Sequence, residues 1–261
     1  MSKKQPRRSA MKKTKHTKAR RGSVQDEVLQ RLRIGLMAGA FVPGQVMSLR
    51  KLASSLGTSS MPVREALSQL VAANALEELP NRSVRVPRLS DARLAELFRV
   101  REAIEGMAAR AACAHRTPEL IDKLERINRE LIDAIGRRDI LACLATNQKF
   151  HFGLYHAASS EILMPLIESL WLQCGPTMYY SLLSPTMPWD ASAHTEILEG
   201  LRAGKPALVQ RALARDMRTT ARNLLGSAAD HRPNGPWIRP LVEMDTFLDL
   251  DSNGLPVGGV A

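Results

Sequence analysis

Residues 48–70, SLRKLASSLGTSSMPVREALSQL, predict two short helices joined by a turn at Gly57. The apolar residues of the first helix recur at steps of three and four and form a single stripe: Leu49, Leu52, Ala53 and Leu56. Ser48 is placed to cap the first N–H groups of this helix, and Gly57 can adopt the left-handed backbone that ends it. This layout is typical of a helix-turn-helix that reads DNA.

The second helix is predicted to begin after Ser59 as its N-cap, with Pro62 in the first turn, where a missing N–H does no harm. Its inward face is Val63, Leu67 and Leu70. Its outward residues near the N-terminal end are Ser60, Met61 and Arg64. Base edges in a major groove offer acceptors to Arg, and phosphates accept hydrogen bonds from Ser and from a helix N-terminus. The spacing alone also fits an ordinary pair of amphipathic helices.

The flanking residues complete the pattern of a winged helix. Upstream, residues 24–47 predict an amphipathic helix that stops near Gly39, followed by a Pro43-Gly44 turn. Downstream, residues 76–88, LEELPNRSVRVPR, predict two short β segments around a turn at residues 80–83. The resulting order is helix, helix, turn, helix and hairpin.

At this point the chain resembles the GntR family of bacterial transcription regulators. The shared motifs are Pro43-Gly44, Leu52-Ala53, Leu56-Gly57 and the run PVREAL at residues 62–67. The resemblance implies a winged helix whose DNA contacts come from three places. The first is Arg50, and the second is the N-terminal part of the second helix: Ser59, Ser60, Met61 and Arg64. The third is the wing tip, which would enter the minor groove: Asn81, Arg82 and Ser83.

Two of these positions depart from the family pattern. Ser60 stands where the family usually has Arg, and Ser83 where a wing glycine is usual. Loss of an Arg removes a candidate bidentate contact to guanine worth about 1–3 kcal/mol of discrimination. We therefore expect Arg50 and Arg64 to be the principal base-reading residues and the operator to differ from the family's common one.

The positive charge of the chain is concentrated at its N-terminus. Residues 1–25 hold ten of the 37 Lys and Arg residues and no acid, whereas the whole chain has a formal net charge of +11. Such a run cannot bury apolar surface, so residues 1–22 are predicted to be a disordered basic arm that contacts DNA phosphates. A solubilising arm or a leader left from expression would look the same.

Other features of composition indicate a cytoplasmic protein without a membrane span. The chain has no run of 18 apolar residues and no apolar segment after the arm. Its three cysteines, Cys113, Cys143 and Cys174, are odd in number and far apart, which argues against a disulfide framework and for a reducing compartment.

The length of 261 residues allows two domains, and the pattern predicts a mainly α protein. The winged helix is assigned to residues 23–88, and an antiparallel all-α helical bundle to residues 89–228. The first bundle helix begins at Asp91, with Leu94, Leu97, Val100, Arg101, Ile104 and Ala108 on one face. Later helices include a separate one at about 176–184. Residues 229–261 are predicted to be a tail, docked over 236–250.

Four polar residues fall on apolar faces of the predicted bundle: Asn147, His151, His194 and Asp216. Buried polar groups need partners, and convergence around a cation would satisfy all four at once. The alternative is that each is an isolated core or boundary side chain with its own hydrogen bond. Spacing alone favours this alternative, because one His in an i, i+4 pair is a weak metal signal.

The second half of the chain resembles the FadR subfamily, whose helical ligand-binding domain is called FCD. Many of its members bind a divalent metal through an Asp-x-x-x-His pair and two later histidines. Here Asn147 and His151 stand in the pair, and His194 and Asp216 stand in the later positions. Two of the four ligands are thus changed, yet the set could still hold Zn²⁺, Mn²⁺, Ni²⁺ or Fe²⁺.

The same resemblance assigns Arg101 to the effector site, where it would pair with a carboxylate. An internal ion pair with Glu105 at i+4 is the alternative. The expected protein is a cytoplasmic homodimeric repressor that binds a double-stranded DNA operator and responds to a small carboxylate effector. Two other classes remain open, a metal-dependent enzyme fused to a nucleic-acid anchor and a non-specific nucleic-acid binder driven by the arm.

Overall fold

The computed structural model describes residues 21–182 and 189–227. The N-terminal unit contains α1 (Arg21–Met37), β1 (Val46–Met47), α2 (Leu49–Ser55), α3 (Ser60–Ala72), β2 (Glu77–Glu78) and β3 (Val84–Arg85). The helical unit contains α4 (Asp91–Ala114), α5 (Pro118–Arg137), α6 (Ile140–His156), α7 (Leu163–Met178), a 3-10 helix (Tyr179–Leu182), α8 (Ser192–Arg202) and α9 (Pro206–Ser227). The predicted winged helix followed by an all-α bundle is confirmed.

Local signals in the helix-turn-helix act largely as their chemistry predicts. The Ser48 side chain accepts a hydrogen bond from the backbone N–H of Lys51, and Gly57 has a φ of +61° just after α2. Ser59 occupies the N-cap position of α3, but its side chain makes no capping hydrogen bond, so that part of the prediction was wrong. Leu67 and Leu70 of α3 are buried against the core.

The wing contains one more strand than the sequence predicted. The hairpin partners β2 and β3 pair antiparallel, with Glu78 opposite Val84. β1 adds to the other side of β3, which gives the sheet order β1-β3-β2. A two-residue strand carries too little alternation to be detected in sequence, and only its pairing with β3 makes it visible.

Three helices of the bundle, α4, α5 and α6, begin at a residue whose side chain caps them. Ser90, Thr117 and Asp139 each accept a backbone N–H in the first turn of the helix that follows. α4 and α9 pack along one another, α8 packs on α9, and α5 packs on α6. This arrangement places α6 between α4 and α5 and brings its polar residues to the centre of the bundle.

Three sequence predictions about boundaries and faces were wrong. Of the helix predicted at 176–184, the described residues 176–182 do not form a separate α-helix, because α7 continues through Pro176 to Met178 and a 3-10 helix follows to Leu182. Val100 is 42% exposed, and Phe98 and Glu105 lie inward on α4 instead. Arg21 and Gly22, assigned to the basic arm, form the start of α1. The rest of the arm, residues 1–20, and the tail at 229–261 lie outside the described residues.

The two units meet where α1 packs on α7. A Cβ added to Gly175 would lie 2.4 Å from the backbone oxygen of Leu36 and 2.7 Å from the Cα of Met37. Glycine is therefore what permits the two helix backbones to approach. Beside this contact Arg33 Nη2 lies 2.5 Å from Glu168 Oε2, an ion pair that also joins α1 to α7.

We expect Gly175→Ala to destabilise the protein by about 1–3 kcal/mol, because the added methyl must push apart two backbones rather than a flexible side chain. Thermal unfolding followed by circular dichroism measures the effect. Gly136→Ala on α5 is the matched control, because a Cβ there meets nothing within 4 Å and Ala favours the helix. Equal melting temperatures for the two variants would contradict a tight α1–α7 contact.

Candidate functional site

The predicted DNA-reading residues of α2 and α3 are exposed. Arg50 and Arg64 are exposed on α2 and α3, and neither makes an ion pair among the residues that the structure describes. Ser60 is exposed in the first turn of α3, and Met61 beside it is 62% exposed. Both guanidinium groups are therefore available to nucleic acid.

The wing tip is a short polar turn closed by one side chain. The Asn81 Oδ1 atom accepts hydrogen bonds from the backbone N–H of Ser83 at 3.0 Å and from its hydroxyl at 2.6 Å. Arg82, between them, is exposed with a φ of +59°. The left-handed residue of the turn is thus Arg82, so position 83 does not require glycine here. The turn presents the Arg82 side chain at the tip.

Three of the four predicted metal ligands converge at the centre of the bundle. The Nε2 atom of His151 lies 3.3 Å from the Nε2 atom of His194 and 3.3 Å from Oδ2 of Asp216. Both histidines are 2% exposed, whereas the Asp216 side chain is 25% exposed. All three potential ligand atoms lie within 4.8 Å of one another. Asn147 is also buried and lines the same small cavity as His151 and Asp216.

A hydrogen-bonded chain behind the cluster orients His151. The Glu105 carboxylate is fully buried and accepts from Arg101 Nε at 2.6 Å, from Trp171 Nε1 at 3.0 Å and from the Tyr155 hydroxyl at 2.5 Å. Because Tyr155 donates its proton to Glu105, its oxygen is left to accept from His151 Nδ1, 3.1 Å away. His151 therefore carries a proton on Nδ1, and its Nε2 faces His194 and Asp216.

The electrostatics of the cluster suit a cation. Burial, together with the neighbouring His151, lowers the pKa of His194 to about 3, so this ring is neutral. Burial alone would raise the pKa of Asp216, but its hydrogen bond to His151 and the nearby positive groups hold that pKa below its usual value. The Nε2 atoms of His151 and His194 and the Asp216 carboxylate face one another. Either a proton on His151 Nε2, which then donates a hydrogen bond to Asp216, or a cation among the three groups offsets their repulsion.

A second observation on His194 also fits a ligand role. Its ring stacks on Phe150 with centroids 4.0 Å apart and an interplanar angle of 5°, which fixes its orientation. This donor set of two imidazoles and a carboxylate, with the Asn147 amide beside it, is chemically suited to a divalent transition metal.

Arg101 forms the internal ion pair with Glu105 that the sequence analysis gave as the alternative to an effector contact. It is 2% exposed, pairs with Glu105 through two nitrogens, and stacks over Trp171 with its Cζ atom 4.5 Å from the ring centroid. A different arginine, Arg215, lines the open cleft of about 290 Å³ beside His194 and Asp216. The sequence did not single out Arg215, because its neighbours on α9 are also basic and only the packing of α8 on α9 brings it to the cleft.

Family models match both halves of the chain. Residues 24–86 match "Bacterial regulatory proteins, gntR family", and residues 96–219 match "FCD domain". The chain belongs to the GntR family. It is thus a DNA-binding transcription regulator with an FCD effector domain, and it is not an enzyme. This excludes the metal-dependent enzyme kept open above.

Individual relatives agree with this assignment. The regulator McbR of Escherichia coli K12 is 34% identical over 161 residues, which cover 62% of this chain and 72% of McbR. The probable D-xylose utilization operon repressor of Paenarthrobacter nicotinovorans is 29% identical over 74% of this chain and 85% of its own length. The solved structure of E. coli McbR/YncC superposes with a TM-score of 0.72, at 29% identity, over 80% of this chain and 99% of that one.

The helices of the described segments include none that is both long and apolar enough to cross a bilayer.

We expect Glu105→Gln to destabilise the protein by about 3–5 kcal/mol, because it leaves the Arg101 charge buried without its anion. Glu102→Gln is the matched control on the same helix, since Glu102 pairs with Arg218 at the surface and such pairs contribute about 0–1 kcal/mol. Chemical denaturation of both variants measures the difference. A Glu105→Gln protein as stable as Glu102→Gln would contradict the central role of this carboxylate.

Proposed function

We propose that this regulator is a homodimeric repressor whose operator affinity is set by a small carboxylate bound beside a divalent metal in the helical domain. The observation that carries the proposal is the convergence of His151, His194 and Asp216 next to an open cleft. A ligand that enters this cleft meets α8 and α9, and so it can favour one arrangement of the bundle over another. Only a ligand with different affinities for two arrangements can change DNA binding.

The metal would be held by His151 Nε2, His194 Nε2 and an Asp216 oxygen, with Asn147 as the fourth, weaker ligand. Zn²⁺, Mn²⁺, Ni²⁺ and Fe²⁺ all accept such a mixed N and O set. When bound, the metal supplies a positive centre that an effector carboxylate can approach. The Glu105–Tyr155 chain supports this role, because it keeps His151 in the tautomer that a metal requires.

The effector would be a carboxylate small enough for a cleft of about 290 Å³. Arg215 and Ser192 on the cleft wall offer donors to an anion, and Arg215 is at present paired with Glu196. An effector carboxylate can compete with Glu196 for Arg215. Arg101, the predicted effector residue, lines the small cavity beside Asn147, His151 and Asp216, where it is paired with Glu105. It would bind the effector only if this pair opens.

Two winged helices in a dimer would read half-sites of a near-palindrome, about one helical turn apart. The exposed apolar side chains Val100 and Met107, two turns apart on α4, support an interface between two helical domains. The arm would add salt-dependent phosphate contacts. The proposal includes a cytoplasmic location, because the target is operator DNA, and repression, because two relatives are named as repressors.

Operator reading is tested first. We expect Arg64→Ala to weaken binding to a duplex selected from random DNA by about 1–3 kcal/mol, or roughly 5- to 150-fold. Fluorescence anisotropy at fixed salt measures the affinity. Arg129→Ala on α5 removes the same charge far from the reading face and should leave the affinity unchanged.

Removing the basic arm distinguishes operator reading from non-specific DNA binding in the same assay. A protein lacking residues 1–20 should bind all DNA more weakly yet keep its preference for the selected duplex over random DNA. If the preference for the selected duplex is lost when the arm is removed, the protein is a non-specific DNA binder. This result would refute the proposal that the helix-turn-helix reads an operator.

The metal site is tested by titration calorimetry of the metal-stripped protein with Zn²⁺, Mn²⁺ and Ni²⁺. His194→Ala should abolish binding of the tightest metal, and Tyr155→Phe should weaken it by about 10- to 100-fold because His151 loses its orienting partner. The control His156→Ala alters an exposed histidine on α6, the helix that carries His151, and should leave the metal affinity unchanged. Unchanged metal affinity in His194→Ala would remove the proposed site.

A further inference from the structure

A separate groove lies at the junction of the two domains, on the opposite side of α6 from the metal cluster. It has a volume of about 560 Å³, in the range of small-molecule sites. One wall is α1 of the winged helix domain, and the others are α5, α6 and α7 of the helical domain. Consecutive residues of α6 face the two sites, since Asn147 lines the cluster cavity and Gln148 lines the groove.

Gln148 contributes a polar side chain to the wall of this groove. Its residue surface is only 8% exposed, yet its amide makes no hydrogen bond with any part of the chain that the structure describes. An amide that makes no hydrogen bond within the protein is available to water or to a ligand in the groove. The groove is the space from which a partner can reach it.

The α5 rim of the groove has an excess of positive charge. Lys123 and Arg126 of α5 line it, and neither makes an ion pair with another described residue. Of the acids on the rim, Glu168 is neutralised by Arg33, which leaves Glu130. An anionic group is thus favoured at the α5 rim of the groove.

The remaining lining is apolar. Met37 of α1, Ile127 of α5 and Phe152 of α6 contribute hydrocarbon and aromatic surface to the groove. A ligand that matches the lining must therefore combine an apolar body with an acidic group and one group that pairs with an amide.

We propose that this junction groove is a second ligand site that binds an amphipathic organic anion. Its acidic group pairs with Lys123 and Arg126, its apolar body packs on Met37, Ile127 and Phe152, and a polar atom pairs with the Gln148 amide. Because the walls come from both domains, the bound anion also holds α1 against the helical domain. The site is distinct from the metal-linked cleft between α8 and α9.

The full-length protein can be titrated with 8-anilinonaphthalene-1-sulfonate, a fluorescent anion with an aromatic body. Lys123→Glu/Arg126→Glu should lower its affinity at least tenfold, and Gln148→Leu should lower it by a smaller factor. Lys205→Glu/Arg211→Glu makes the same charge change just before and within α9 and should have no effect. Decanoate should displace the probe, whereas decyltrimethylammonium should not.

Three results would overturn the proposal. The first is unchanged probe affinity in Lys123→Glu/Arg126→Glu when its melting temperature shows that it is folded. The second is equal displacement by the anionic and cationic decyl compounds, because the groove would then offer only apolar surface. The third is loss of probe binding in His194→Ala, which would place the probe in the metal-linked cleft.

Discussion

The carboxylate of Glu105 has no exposed surface, and the centre of the helical domain is arranged to satisfy it. Arg101 donates to it from the same helix, Tyr155 from α6 and Trp171 from α7. A buried charge is tolerated only when it is paired and hydrogen-bonded, so these three donors hold α4, α6 and α7 in one register. His151 is oriented by the same network through Tyr155. A group that is needed for packing therefore also prepares the candidate metal site.

The contact between α1 and α7 connects the winged helix domain to the helical domain, so a change in one domain can affect the other. α1 belongs to the winged helix domain, yet it packs on α7 at a glycine that has no room for a Cβ. α7 in turn supplies Trp171 to the Glu105 network. Packed interfaces of this kind shift between discrete arrangements rather than deform gradually. A change at the His151, His194 and Asp216 cluster and a ligand in the proposed junction groove would therefore both affect the position of α1 and of α3, which packs on it.

The sequence predicted the helix-turn-helix at residues 48–70 well, because the residues that specify it act locally. The cap at Ser48, the turn at Gly57 and the apolar spacing of α2 and α3 act over a few residues, and the family motifs cover the same stretch. β1 was missed because two residues carry no periodicity. The end of α7 was missed because proline is read as a helix breaker, although here α7 continues through Pro176. Val100 fits an apolar stripe in sequence, but the packed face of α4 is rotated toward Phe98 and Glu105.

By itself, the sequence determined the winged helix, the helical class of the second domain and the four residues to examine for a metal, because helical periodicity and motif spacing are local properties. The tertiary structure alone decided which of those residues meet, since His151, His194 and Asp216 come from three different helices. It also decided that Arg101 pairs inward with Glu105 and that Arg215 lines the open cleft. Contacts between distant segments depend on how helices pack, and no spacing along one chain specifies the side chains that face each other across a bundle.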